Sequence, residues 1–180
     1  MKQRVITVVG VSGIGKTTHV KRLAEQLPIQ HLTAGTLIED GRSIRSFHRD
    51  QLRLASIDGN QKLLIEGFRL ARDPTKPYVV IDGHPVVHGP QGLEDLSAEV
   101  FGALSVDAIV HLLASPEKIL MNRVNDDRRK RPVLTKQEIF EHQTRSVSVA
   151  KAICRSLSIP YLEVGSDDIE TVKSFFLELS

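Results

Sequence analysis

Apolar and polar positions along the chain alternate between two periods. Arg4–Val9 (RVITVV) is short, β-branched and apolar and is closed by Gly10, the pattern of a strand buried on both faces. From Lys16 to Gln26 the period changes, and Val20, Leu23, Ala24 and Leu27 fall at helical spacing. His31–Thr33 reads as a second short strand, with a helical patch from Thr36 and a longer helix over Asn60–Arg72. Tyr78–Asp82 (YVVID) and Ala108–Leu113 (AIVHLL) are the next two strands, apolar enough to be covered on both sides. Ser115-Pro116-Glu117 supplies an N-cap and a proline at the first helical position, opening PEKILMNRV. Thr135 and Glu138 form a capping-box pattern that opens a helix running to about Ser158. A strand near Pro160–Val164 follows, and Ser166 is placed to cap the last helix. Strands alternating with helices predict parallel βαβ units and an α/β fold. No repeat, linker or low-complexity segment interrupts the pattern, so residues 1–180 are expected to form one domain.

Composition narrows this picture only slightly. The chain has 180 residues, 41% apolar and 26% charged, enough for one well-buried core and too few for two ordinary domains. Cys154 is the single cysteine, so no internal disulfide forms; a core-filling role and a cytoplasmic location are expected. No apolar run reaches the roughly 18 residues that a membrane span needs. The start, MKQRVITVVG, is basic and then apolar like a signal peptide, but the glycines and Lys16 cut the run short. A net charge of +2 is too small to argue for nucleic acid as the main partner.

The chemistry begins between the first strand and the first helix. Gly10-Val11-Ser12-Gly13-Ile14-Gly15-Lys16-Thr17 matches G-x-x-x-x-G-K-[ST] at every fixed position. By ordinary residue frequencies, about one chain in a hundred of this length would match all four by chance. Glycines let the backbone wrap phosphate oxygens and point N–H donors inward, and the following helix adds the positive end of its dipole. Lys16 supplies a mobile charge for the β and γ phosphates, and Thr17 a hydroxyl for Mg²⁺. A carboxylate is needed beside that hydroxyl for the metal, and Asp82, ending YVVID, is the candidate.

A phosphate loop serves several chemistries. No N-K-x-D tetrapeptide is present to read a guanine base, which argues against a GTPase, and a motor or helicase needs a longer chain. A small kinase needs arginines to spread charge in the transition state. Arg123 lies on the helix after the fourth strand, and NDDRRKRP adds Arg128, Arg129, Lys130 and Arg131. Asp126, Asp127 and Pro132 favour a loop there, suited to clamp phosphate; the alternative is a solvated charge run. No aromatic residues are interleaved for base stacking, which argues against a nucleic-acid patch.

With these residues in order, the chain resembles the nucleoside-monophosphate kinases, and most specifically the archaeal-type adenylate kinases with a short lid. The matching stretches are GVSGIGKTT, TAGTLIEDG, HRDQLRLAS, NQKLLIEGFRLA, VVIDGH, VDAIVHLLASPEKILMNRV and EIFEHQTRSVSVAKAI. The resemblance implies a P-loop three-layer α/β/α sandwich around a five-stranded parallel sheet of order 2-3-1-4-5. It implies transfer of the γ-phosphoryl of Mg²⁺-bound ATP to AMP. Gly10, Gly13, Ile14, Gly15, Lys16, Thr17 and Thr18 then form the ATP phosphate loop. Gly35, Thr36, Arg49, Arg53 and Gln61 fall in the acceptor region, about residues 33–72. Arg128 and Arg131 close over the transferred group from a lid at about residues 125–134. The archaeal relatives also imply a homotrimer.

Bacterial and eukaryotic adenylate kinases carry D-G-[FY]-P-R after the third strand, where this chain has Asp82-Gly83-His84-Pro85-Val86. The acceptor arginine of that motif is absent here, as in the archaeal type. The acceptor thus stays open among AMP, another nucleoside monophosphate and a different small molecule. An ATP-binding regulatory or assembly factor of the same fold is the alternative from another class. His84 and His88 have a spacing of four, but Pro85, Gly89 and Pro90 break any helix and no Glu or Cys joins them, arguing against a transition-metal site. His84 beside Asp82 is a candidate substrate contact, and Arg145 a candidate further charge. His111, within an apolar strand, is expected to be a hydrogen-bonded core residue.

Overall fold

The computed structural model describes residues 2–45, 57–89, 92–125 and 133–179. Five strands, β1 (Arg4–Val9), β2 (Ile29–Thr33), β3 (Tyr78–Asp82), β6 (Ala108–Leu113) and β7 (Tyr161–Gly165), form one parallel sheet in the order β2-β3-β1-β6-β7. With the two-stranded antiparallel hairpin β4 (Val86–Gly89) and β5 (Gly92–Asp95) set aside, this is the expected order 2-3-1-4-5. Strands β1, β3 and β6 span the residues that their apolar runs predict.

Helices cover both faces of the sheet, so alternate side chains of each central strand enter different cores. Ile6 and Val8 of β1 pack with Val20 and Leu23 of α1 (Lys16–Ala24) and with Val172 and Phe176 of α7 (Ile169–Glu178). Val5 and Val9 face the other way. They meet Leu64 and Phe68 of α3 (Ile57–Ala71), Val100 and Phe101 of α4 (Ala98–Ala103), and Ala150 and Ile153 of α6 (Lys136–Leu157). Cys154 belongs to this second core, where burial pushes its thiol up to about 11. None of the described helices is long and apolar enough to cross a membrane.

Local capping chemistry sets the helix ends. Helix α5 (Pro116–Val124) starts with the Ser115 side chain accepting from the Lys118 N–H. Helix α6 starts with both bonds of the Thr135–Glu138 capping box and stops at Ser158, which has a positive φ of 54°. The last helix departs from expectation: Asp168 caps it, accepting from the Thr171 N–H at 3.1 Å, and Ser166 lies upstream. Asp168 stands three residues before Thr171, within reach of that N–H, as Ser166 does not.

His111 is fully buried and hydrogen-bonded, as expected. Its Nε2 lies 2.9 Å from Ser146 Oγ and its Nδ1 3.3 Å from the Tyr161 hydroxyl, which donates to Glu163. Burial lowers its pKa to about 4, so it is neutral at physiological pH.

Helices α2 (Ala34–Arg45) and α3 touch backbone to backbone at two glycines. A Cβ on Gly67 would lie 2.0 Å from the Leu37 carbonyl oxygen, and one on Gly41 2.3 Å from that of Leu63. Gly67→Ala gains about 1 kcal/mol of helix propensity. Forcing the two backbones apart costs about 1–3 kcal/mol, and because the obstacle is a carbonyl rather than a side-chain tip, the cost is expected to win. A net loss of about 1 kcal/mol lowers the melting temperature by about 2–4 °C in a chain of this size. A thermal melt checks this, and an unchanged or raised midpoint would contradict the close approach.

Candidate functional site

The loop between β1 and α1 is shaped by backbone that only glycine adopts readily. Gly10, Gly13 and Gly15 have φ of 149°, 94° and 99°. Gly13 is further constrained, because a Cβ there would sit 2.5 Å from Cγ of Arg123. Helix α5 holds the loop from outside: Asn122 Nδ2 donates to the Gly13 carbonyl at 2.9 Å, and Arg123 Nη1 to the Ser12 carbonyl at 3.4 Å. Arg123 thus supports the loop backbone.

Lys16 opens α1 and is 6% exposed. Its ammonium donates to the carbonyls of Gly10 at 2.9 Å and Val11 at 3.2 Å, and to His84 Nε2 at 3.0 Å. An ammonium has only donors, so Nε2 of His84 accepts. Thr17 Oγ1 donates to Asp82 Oδ2 at 2.6 Å. His31 Nε2 lies 3.8 Å from the same oxygen. Burial would raise the Asp82 carboxyl, but the nearby His31 imidazole, the Lys16 charge and the Thr17 hydroxyl hold it below its ordinary value. Asp82 is therefore an anion at neutral pH. One hydroxyl and one carboxylate, both hard oxygens at the mouth of a phosphate-type loop, suit Mg²⁺. Among the described residues no group of three or more His, Cys, Asp or Glu converges to hold a metal.

These groups open onto a cleft of about 1230 Å³. It is lined by Gly13, Ile14, Gly15, Lys16, Thr17 and Thr18, and Gly10 directly follows β1. Gly35 and Gln61 also line it, together with Ile38, Leu64, Val87 and Leu96. Thr36 is not part of this wall: its hydroxyl pairs with that of Thr33 at 2.9 Å, at the start of α2. Arg49, Arg53, Arg128 and Arg131 lie outside the described residues, as does most of the lid segment.

Several wall residues had escaped the sequence reading. His19, Lys118, Asn122 and Asp167 line the cleft as well. His19 Nδ1 donates to the Ser166 carbonyl at 2.8 Å, and burial lowers its pKa. Lys118 bonds to Ser166 Oγ at 3.1 Å and to the Asp167 carboxylate. The spacing of four between Lys118 and Asn122 on one helix was the available signal. His88 also lines the cleft, with its ring edge-on to His142 at 5.1 Å. The β4–β5 hairpin that carries it is fastened to α6 by His142 Nε2 donating to the Val86 carbonyl at 3.4 Å and by Arg145 pairing with Asp95 at 2.7 Å. Arg145 thus has its partner on the hairpin.

Comparison with known proteins agrees with this geometry. A sequence profile described as AAA domain matches residues 9–140. The adenylate kinase of Methanocaldococcus jannaschii is 30% identical over 151 residues, 79% of each chain. That of Pyrococcus horikoshii is 27% identical over 171 residues, 91% of this chain and 87% of the relative. Among solved structures, shikimate kinase from Acinetobacter baumannii in complex with shikimate superposes with a TM-score of 0.55 over 98% of this chain and 92% of that one, at 19% identity. At that identity the likeness speaks for the fold alone.

Proposed function

This chain belongs to the AAA-domain family of P-loop kinases, and from that premise we propose that it moves the γ-phosphoryl of ATP to a nucleoside monophosphate, with AMP as the acceptor. The observation that carries the reading is that one cleft is lined both by Lys16, Thr17 and Asp82 of the phosphate-loop site and by Gly35 and Gln61 of the acceptor region. A cleft shared in this way suits two phosphate-bearing molecules bound together. The identity to adenylate kinases over most of the chain favours AMP among the acceptors. Residues 1–180 act as one kinase domain in this reading, with the acceptor region at about 33–72 and the lid at about 125–134.

In the proposed reaction the backbone N–H groups of Gly13, Gly15, Lys16, Thr17 and Thr18 cradle the ATP phosphates. Lys16 exchanges the Gly10 and Val11 carbonyls for phosphate oxygens. Mg²⁺, when bound, neutralises charge on the β and γ phosphates, and Thr17 and Asp82 are the residues to hold it. Gly35, Arg49, Arg53 and Gln61 seat the acceptor, with Thr36 beside Gly35 at the start of α2, while Arg128 and Arg131 spread the charge of the transferring group. The acceptor phosphate is itself the nucleophile, so no side chain need act as a base; the protein contributes alignment and charge neutralisation.

An acceptor panel under ATP and Mg²⁺ tests the reading. ADP formation is expected to be strongly stimulated by AMP and less by CMP, UMP or dTMP. No stimulation by any monophosphate would remove it, stimulation by shikimate would move the chain to hydroxyl acceptors, and stimulation only by a protein or RNA would favour a regulatory ATPase.

A further inference from the structure

The proposed reaction gives no part to His31, although its imidazole lies beside Asp82. Strands β2 and β3 run in parallel with Thr33 opposite Asp82 and His31 opposite Val80. Side chains alternate along a strand, so His31, Thr33, Val80 and Asp82 share one face. The imidazole is thereby carried alongside the carboxylate one step further along. Its Nε2 is buried, has no hydrogen-bond partner among the described residues, and stops 3.8 Å from Asp82 Oδ2. A lone pair turned towards a carboxylate oxygen would repel it, so the proton sits on Nε2. A buried donor left unmet is destabilising, and an approach of about 0.9 Å would bring it to a normal N–H···O length. Oδ2 already accepts from Thr17 at 2.6 Å and, as a carboxylate oxygen, has a lone pair left for a second donor.

We propose that His31 is a positioning residue for the metal-holding carboxylate, closing to a hydrogen bond with Asp82 Oδ2 in the nucleotide-bound state so that Asp82 is held by two donors, Thr17 and His31. The inference rests on the assignment of Thr17 and Asp82 to Mg²⁺, and not on the identity of the acceptor. Groups that orient a ligating carboxylate in this way are typically worth about 10–100-fold in metal affinity.

Manganese binding to the full chain in the presence of the non-hydrolysable β,γ-imido analogue of ATP, followed by electron paramagnetic resonance, tests it without turnover. His31→Leu is expected to weaken Mn²⁺ about 10-fold while the ligand-free protein melts within a few degrees of the wild type. His31→Gln, whose amide nitrogen can take the place of Nε2, is expected to recover most of that loss. Equal Mn²⁺ affinity in wild type and His31→Leu would overturn the proposal, as would a His31→Gln variant that folds but binds as poorly as His31→Leu. In the wild type, adding Mg²⁺ and the analogue is expected to shift the His31 Nε2–H proton resonance downfield into the hydrogen-bonded range. An unshifted resonance would overturn the proposal whatever the variants do. A wild type that binds no Mn²⁺ with the analogue would instead remove the metal assignment on which it rests.

Discussion

Lys16→Ala is expected to lower ATP-dependent phosphotransfer by about 10²–10³-fold, the usual cost of removing one preorganised charge from a transferring group. The fold is expected to survive. In the ligand-free protein the Lys16 ammonium donates to the Gly10 and Val11 carbonyls and to His84 Nε2. Losing such bonds costs about 1–3 kcal/mol, less than the roughly 5–15 kcal/mol that holds a domain folded. Steady-state rates and a thermal melt separate the two effects. A variant that keeps full activity would remove the phosphate-loop assignment, and one that fails to fold would show the ammonium to be structural.

Asp82→Asn is expected to lower kcat/KM on the order of 10²-fold, with part of the loss recovered by raised Mg²⁺. Asparagine is nearly isosteric and its carbonyl can still accept from the Thr17 hydroxyl, so packing changes little while the negative charge goes. The charge also links to stability. The Asp82 carboxyl titrates below its ordinary value in the folded chain, held down chiefly by the nearby His31 and Lys16 against the opposing effect of burial. The unfolded chain therefore takes up a proton first as pH falls. The contribution of Asp82 is present at neutral pH and lost in acid, as the folded-state carboxyl protonates. The Asn variant is expected to lose less stability between neutral and acidic pH than the wild type. Equal acid sensitivity, together with an unchanged Mg²⁺ dependence of rate, would contradict the role given to Asp82.

What the sequence disclosed was what local physics determines. Strands β1, β3 and β6 are buried on both faces, so they had to be continuous β-branched runs and were visible end to end. Helices α5 and α6 begin at Ser115 and Thr135 because capping is a short-range hydrogen-bond pattern. The phosphate loop was legible for the same reason: its glycines answer to backbone conformation, and Lys16 and Thr17 follow at a fixed spacing. The β4–β5 hairpin and the six-residue α4 were not. Each is too short to show a period, and the hairpin is fastened by Arg145 and His142, about fifty residues away along the chain. Sheet order was implied by family resemblance, since nothing in a strand's own pattern names its neighbours. His19 and His31 escaped notice because their neighbours, Ser166 and Asp82, are brought beside them only by the folded sheet.

The most direct test of the central claim is a product balance in one vessel containing purified protein, ATP, AMP and Mg²⁺. A nucleoside-monophosphate kinase is expected to form two ADP for each ATP consumed, with no inorganic phosphate, and to regenerate ATP and AMP from ADP alone. One ADP and one inorganic phosphate per ATP, at a rate indifferent to AMP, would contradict the claim.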